Sequence, residues 1–186
     1  MDLTKQMLLR AIPSLYLGRA DEFVASFNQW AIPFGINNTK RMVHYLAQVF
    51  HESGQLKYVE EIASGKAYEG RKDLGNVVPG DGMLFKGRGY IQLTGRKNYA
   101  LFNACDVVTQ DVIAKPELVA EFPLNQIASM WFWQTNGLNE LADRDIDGSK
   151  KGEDIVRLIT KKVNGGTNGL SQRLYYYRRF KKEFGL

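Results

Sequence analysis

The stretch NTKRMVHYLAQVFHESG, residues 38–54, decides the fold. Asn38 or Thr39 can start a helix, and apolar side chains then recur at Met42, Tyr45, Leu46, Val49 and Phe50, the spacing of one buried helical face. The helix should run to about Glu52, because Gly54 just beyond it is a stop signal. Glu52 lies in line with Tyr45 and Val49, so its carboxyl falls on or beside the apolar stripe. It also meets the negative end of the helix macrodipole. Partial burial and the dipole both raise a carboxyl pKa, which is what a proton donor working near neutral pH needs. An exposed helix-end glutamate fits the same pattern.

Outward from this helix, the rest of the chain is mostly helical by period. Asp21 can cap a helix over residues 21–34, with Phe23, Val24, Phe27 and Trp30 on one stripe. Helical spacing returns over 96–105, 124–135, 153–163 and 171–184. Between Ser64 and Gly95 glycines are dense, and Pro79-Gly80-Asp81-Gly82 is a strong turn signal flanked by extended pieces at 83–85 and 89–94. The expectation is a mainly α (α+β) domain with a small glycine-rich β insertion lining a cleft. At 186 residues, the chain reads as a single domain, 1–186, with no second domain expected.

Hydrophobic residues at 44% and charged residues at 24% make disorder the wrong default. The net charge of +5 is concentrated late, in Arg173, Arg178, Arg179, Lys181 and Lys182. Such a helix suits an anionic surface, and equally an ordinary solvated face. The lone Cys105 excludes a disulfide framework and a thiolate zinc cluster, and it reads as a buried small residue. Residues 1–10 form neither a secretory signal nor a membrane span. The expectation is a protein made in the cytoplasm and delivered to any outside substrate by other means.

A second carboxylate pair, Glu60 and Glu61, follows the Gly54 break. Glycan hydrolysis needs two carboxyl groups flanking a sugar bond, although acidic pairs in loops are common. His51-Glu52 does not make a zinc-protease motif, because Gln55 stands where the second histidine belongs. In residues 87–94, Tyr90, Gln92 and Thr94 should share a polar face and Ile91 and Leu93 the core face. The polar face would suit a sugar, or simply be the outside of a half-buried strand. Asn164-Gly165-Gly166 and Asn168-Gly169 read as a helix-to-helix turn, with an amide placed to grip an acetamido group. Asp143, Asp145, Asp147 and Gly148 fit the start of a calcium loop, but Asp154 replaces the closing glutamate and Lys150 and Lys151 oppose a cation. No metal or cofactor is therefore assigned. In Trp131-Phe132-Trp133, Trp131 is expected in the core and Trp133 elsewhere.

Together these segments resemble the family 19 glycoside hydrolases. The resemblance rests on His51-Glu52-Ser53-Gly54, Tyr58-Val59-Glu60-Glu61, Tyr68-Glu69-Gly70-Arg71, Pro79-Gly80-Asp81-Gly82, residues 87–96, Asn98-Tyr99, Trp131-Phe132-Trp133, Asn164-Gly165-Gly166 and residues 173–177. It implies a lysozyme-like, two-lobed helical fold around a cleft. It implies Glu52 as general acid and a second glutamate as general base in an inverting reaction. Glu61 is assigned that role, with Glu69 as rival and Glu60 less suited. The resemblance further implies that Thr94 helps hold the attacking water and that Gln92, Asn98 and Asn164 contact sugar. Arg173 would orient a catalytic carboxylate. Tyr90 and His51 complete the expected substrate-binding set.

The sequence lacks the cysteines of plant-type chitinases. With its charge, this favours an endolysin cutting β-1,4 bonds of peptidoglycan over a chitinase. The expected partner is the glycan strand, with the basic last helix touching anionic wall or membrane, no nucleic acid, and a monomeric state. A reading of another class is a basic binding module gripping anionic polymer with the arginines and tyrosines of that helix.

Overall fold

The computed structural model describes residues 2–146 and 150–186. Helix α3, Thr39–Glu52, is its centre. Asn38 caps it by accepting a hydrogen bond from the Arg41 backbone N–H at 3.0 Å. Every residue from Met42 to Phe50 is buried, including His44, Ala47 and Gln48. The apolar stripe marks one face, but neighbours cover the others as well.

Around α3 lie α1 (Lys5–Ala11), α2 (Ala20–Trp30), α6 (Leu124–Thr135), α7 (Leu138–Ala142), α8 (Lys150–Asn164) and α9 (Leu170–Phe184). The contacts are largely aromatic. Phe50 meets Phe180 of α9 edge-on at 4.9 Å and Phe23 of α2 at 5.9 Å, and Tyr45 meets Trp133 of α6 at 5.4 Å. α2 starts at Ala20, with Asp21 in its first turn instead of capping it, and ends at Trp30. Residues 31–35 are turns, shortening the helix expected over 21–34.

The middle of the chain holds two short helices, α4 (Asp81–Leu84) and α5 (Arg96–Asn103), set among turns. The β insertion is not found. Among the described residues, pairing is limited to isolated bridges of Arg88 with Glu60 and with Leu93. Residues 83–84 belong to α4, and the expected strand over 89–94 is broken by Gln92 at φ 59°. The alternation fails with it: Tyr90 goes into the core with Ile91 and Leu93 and meets the Phe23 ring at 5.6 Å. Polar ties hold this region in place of a sheet. Buried Asn76 donates to the Tyr68 carbonyl and accepts from the Arg96 N–H, while Arg96 grips buried Asp81 at 2.6 and 2.9 Å. That guanidinium, the largest influence, holds the Asp81 carboxyl below the usual carboxylate range.

Three other expectations change. Trp133 is fully buried, its indole N–H donating to Asn139 at 2.8 Å, whereas Trp131 is partly exposed. Cys105 is also partly exposed. The charges of the last helix are largely committed within the protein: Arg173 is buried, Arg178 pairs with Glu153, and Arg179 donates to the carbonyls of Arg10 and Ala11. Of the proposed calcium loop, Asp143 is held by Arg41 and Asn38. Asp145 is buried against His44 and Tyr177. Asp147 and Gly148 lie outside the described residues.

Candidate active site

Glu52 is the last residue of α3, with its side chain 18% exposed. Beyond it the chain reverses abruptly. Gly54, Gln55 and Leu56 all take left-handed φ values of 56°, 61° and 71°, and Ser53 Oγ accepts the Leu56 N–H at 2.8 Å. Leu56 is fully buried, which anchors the reversal. Two consecutive non-glycine residues in this region mark stored backbone strain next to Glu52.

Arg173 reaches Glu52 from α9. Its guanidinium donates to Glu52 Oε1 at 2.5 Å, to Gln48 Oε1 at 2.5 Å and to the Asn168 carbonyl at 3.3 Å. The side chain is only 1% exposed. Burial lowers the Arg173 pKa and the Glu52 charge opposes that shift. A buried cation thus touches the Glu52 carboxyl. Glu52 Oε2 takes no hydrogen bond from the described residues. His51, one residue earlier, is bonded through Nδ1 to Gln172 at 2.6 Å, and burial followed by the Arg173 charge pushes its pKa down. Its ring lies on Gly169, where a Cβ would sit 2.0 Å from the imidazole and where φ is +68°. Only glycine fits both demands. Asn164 closes this group by donating to the same Asn168 carbonyl at 3.1 Å.

Glu61 heads a second group. Its Oε1 accepts from the Tyr68 hydroxyl at 3.0 Å and its Oε2 from the Gly87 N–H at 3.2 Å, while its own N–H donates to the Gly87 carbonyl. Burial, then this bond to Glu61, raises the Tyr68 pKa. Gln92 comes close over Gly87, where an added Cβ would meet Gln92 Oε1 at 2.7 Å and Glu61 Oε2 at 3.3 Å. The left-handed turn at Gln92 lets its amide donate to the Gly89 carbonyl. Thr94 Oγ1 donates to the Gln92 carbonyl at 2.8 Å, and Asn98 donates to the Thr94 carbonyl at 2.7 Å.

Most of the expected residues thus fall into two groups, one around Glu52 and one around Glu61. Tyr90 belongs to neither. At 1% exposure it is a core residue and offers no ring to a sugar. Glu69 carries structure: its two oxygens accept the Gly80 and Gly82 N–H groups at 2.7 and 2.8 Å and pin the turn that starts α4. Glu60 pairs with Arg88 and Lys86. The sequence reading missed Gln48, Tyr68 and Gln172. Gln48 was detectable, since it lies one helical turn before Glu52 on the same face. Tyr68 and Gln172 reach their partners only through folding.

The model of the family 19 glycoside hydrolases, described as chitinase class I, matches residues 23–148. A glycosyl hydrolase family 19 domain-containing protein of Haemophilus influenzae is 28% identical over 178 residues, covering 77% of this chain and 80% of the relative. An endochitinase of Arabidopsis thaliana is 31% identical over 173 residues, covering 88% of this chain and 55% of the plant protein. Among solved structures, a bacterial family 19 chitinase superposes with a TM-score of 0.70 at 20% identity, covering 100% of this chain and 96% of that one. Chitinase C from Streptomyces griseus gives 0.69 at 17% identity, covering 98% and 76%. At these identities the superpositions speak for the fold alone.

Proposed function

The chain belongs to the family 19 glycoside hydrolases, and from that premise we propose that it cuts β-1,4 bonds of peptidoglycan strands by inversion, with Glu52 as general acid and Glu61 as general base. One observation carries the assignment: Glu52 is held through Oε1 alone, whereas Glu61 is held through both oxygens beside Gln92. Glu52 rests paired with buried Arg173 through Oε1, so Oε2 is the oxygen left to take up a proton and pass it to the leaving oxygen. Glu61 accepts one neutral donor on each oxygen, which suits a carboxylate that takes a proton.

In the reaction, water attacks the anomeric carbon and gives a proton to Glu61. The carbon–oxygen bond to the leaving sugar breaks as Glu52 protonates that oxygen. The Thr94 hydroxyl spends its hydrogen on the Gln92 carbonyl, so its oxygen is left to accept from the attacking water and aim it. An inverting pair stands roughly 6.5–9.5 Å apart to admit that water. Gln92, Asn98, Asn164 and His51 hold the sugars, and Arg173 positions Glu52.

The peptidoglycan assignment is supported by the absence of the plant-type cysteines and by a net charge of +5 against an anionic wall. The protein then acts as an endolysin, made in the cytoplasm and reaching the wall after release. A chitinase is the second reading, favoured by the names of the plant and bacterial relatives. The binding-module reading loses part of its footprint, because Arg173, Tyr176 and Tyr177 are buried while Tyr175 and Arg178 stay exposed.

The test is a set of carboxamide variants assayed on purified peptidoglycan, with folding checked by circular dichroism. Glu52→Gln and Glu61→Gln should each lose about 10²–10⁴-fold in turnover. Glu69→Gln should stay within about tenfold of the parent, since it only loosens a turn that two hydrogen bonds hold. A dead Glu69→Gln beside an active Glu61→Gln would reverse the assignment of the base.

A further inference from the structure

A groove of about 630 Å³ opens between α5 and α6, and Trp131, Phe132, Leu101, Asn98, Asn136 and Lys97 line it. One of these, Asn98, also holds the Thr94 carbonyl, so the groove shares a residue with the Glu61 group. Trp131 rests against the Phe102 ring at 5.6 Å, yet it is partly exposed. Unlike that of buried Trp133, its indole N–H donates to none of the described residues. Leu101 beside it is 53% exposed. Lys162 of α8 brings a second ammonium here by donating to the Asn136 carbonyl at 2.9 Å. Neither Lys97 nor Lys162 meets a carboxylate among the described residues.

We propose that this groove binds the acidic peptide stem of peptidoglycan while the sugar carrying that stem sits at Thr94 and Asn98. The proposal rests on the peptidoglycan reading and deepens it. Two unmatched cations call for an anionic occupant, and chitin carries no charge. Stem peptides present carboxylates to Lys97 and Lys162, carbonyl oxygens to the free indole N–H, and aliphatic segments to Trp131 and Leu101. Specificity for a wall polymer over chitin then comes from a site beside the reacting bond.

The experiment compares kcat/KM on glycan strands bearing stems with kcat/KM on the same strands stripped of them. Calorimetric titration with the free stem peptide runs alongside. The parent should prefer stem-bearing strands, and the preference should weaken as salt rises. The Lys97→Ala/Lys162→Ala double variant should lose about tenfold of that preference, roughly the worth of 1.4 kcal/mol, with turnover of stripped strands unchanged. Trp131→Phe, which keeps a ring but removes the N–H, should weaken the free peptide by several-fold. An equal preference in parent and double variant overturns the proposal. So does a Trp131→Phe variant that loses equally on both strands, which marks a plain sugar subsite. If the parent cuts neither strand yet binds stem peptide through these lysines, the cleavage reading falls and the groove stands.

Discussion

Replacing Arg173 by methionine keeps the length and bulk of the side chain and removes its charge. The structure sets the cost. Arg173 is 1% exposed and is, among the described residues, the only cation paired with Glu52; it also bonds Gln48 and, at longer range, the Asn168 carbonyl. Breaking a buried pair by removing one partner costs about 3–5 kcal/mol, mostly from the stranded charge. Glu52 keeps 18% exposure, so water relieves part of this and the lower end applies. At about 2–4 °C per kcal/mol for a chain of this size, a loss of about 3 kcal/mol lowers Tm by roughly 6–12 °C. Glu52→Gln removes the charge itself, so Arg173→Met should cost less in a Glu52→Gln background. A double-mutant cycle by urea denaturation should show coupling above about 1.5 kcal/mol. Additivity within about 0.5 kcal/mol would refute a Glu52 held by an ion pair.

Tyr68→Phe removes one of two donors to Glu61 and should lower kcat about tenfold, roughly 1.4 kcal/mol, with KM little changed; parental kcat would free Glu61 of any need for that bond. Gly169→Ala forces a Cβ onto the His51 ring at a left-handed φ, and should cost about 1–3 kcal/mol by denaturation while dislodging His51 from Gln172. Buried His44 has its pKa lowered, chiefly by desolvation, so below about pH 6.5 the unfolded chain takes up a proton that the native state refuses. That contribution is complete above pH 6.5 and is lost as pH falls, so the urea midpoint should be lower at pH 5 than at 7.5 and the difference should shrink in His44→Gln. Asp81, depressed by Arg96, adds a second loss below about pH 4, which Arg96→Met should remove.

How far the fold was legible depended on how strongly each segment marks one face. α3 has a clean period, a capping Asn38 and a stop at Gly54, and all three hold. α6 is buried at every residue from Leu124 to Met130, so its pattern offers no stripe from which to tell Trp131 from Trp133. Residues 89–94 alternate like a strand, but a strand needs a partner ladder. Here the chain turns left-handed at Gln92, a conformation that residue type does not announce. At the site, Glu52 was legible because helical spacing carries it to the buried side. Arg173 came only through resemblance, since it lies 121 residues away in sequence. Backbone N–H groups hold both oxygens of Glu69 but only one of Glu61, a difference that is written in no motif.

In the proposed reaction one glutamate gives a proton while another draws one from water on the opposite face of the sugar. Proton NMR of the first product from a short peptidoglycan strand, recorded before the anomers equilibrate, tests it directly. The new reducing end should appear first as the α-anomer from a β-linked substrate, and Glu61→Gln should form it about 10²–10⁴-fold more slowly. A β-anomer appearing first would mean a retained configuration and would contradict the pairing of Glu52 with a water-activating Glu61.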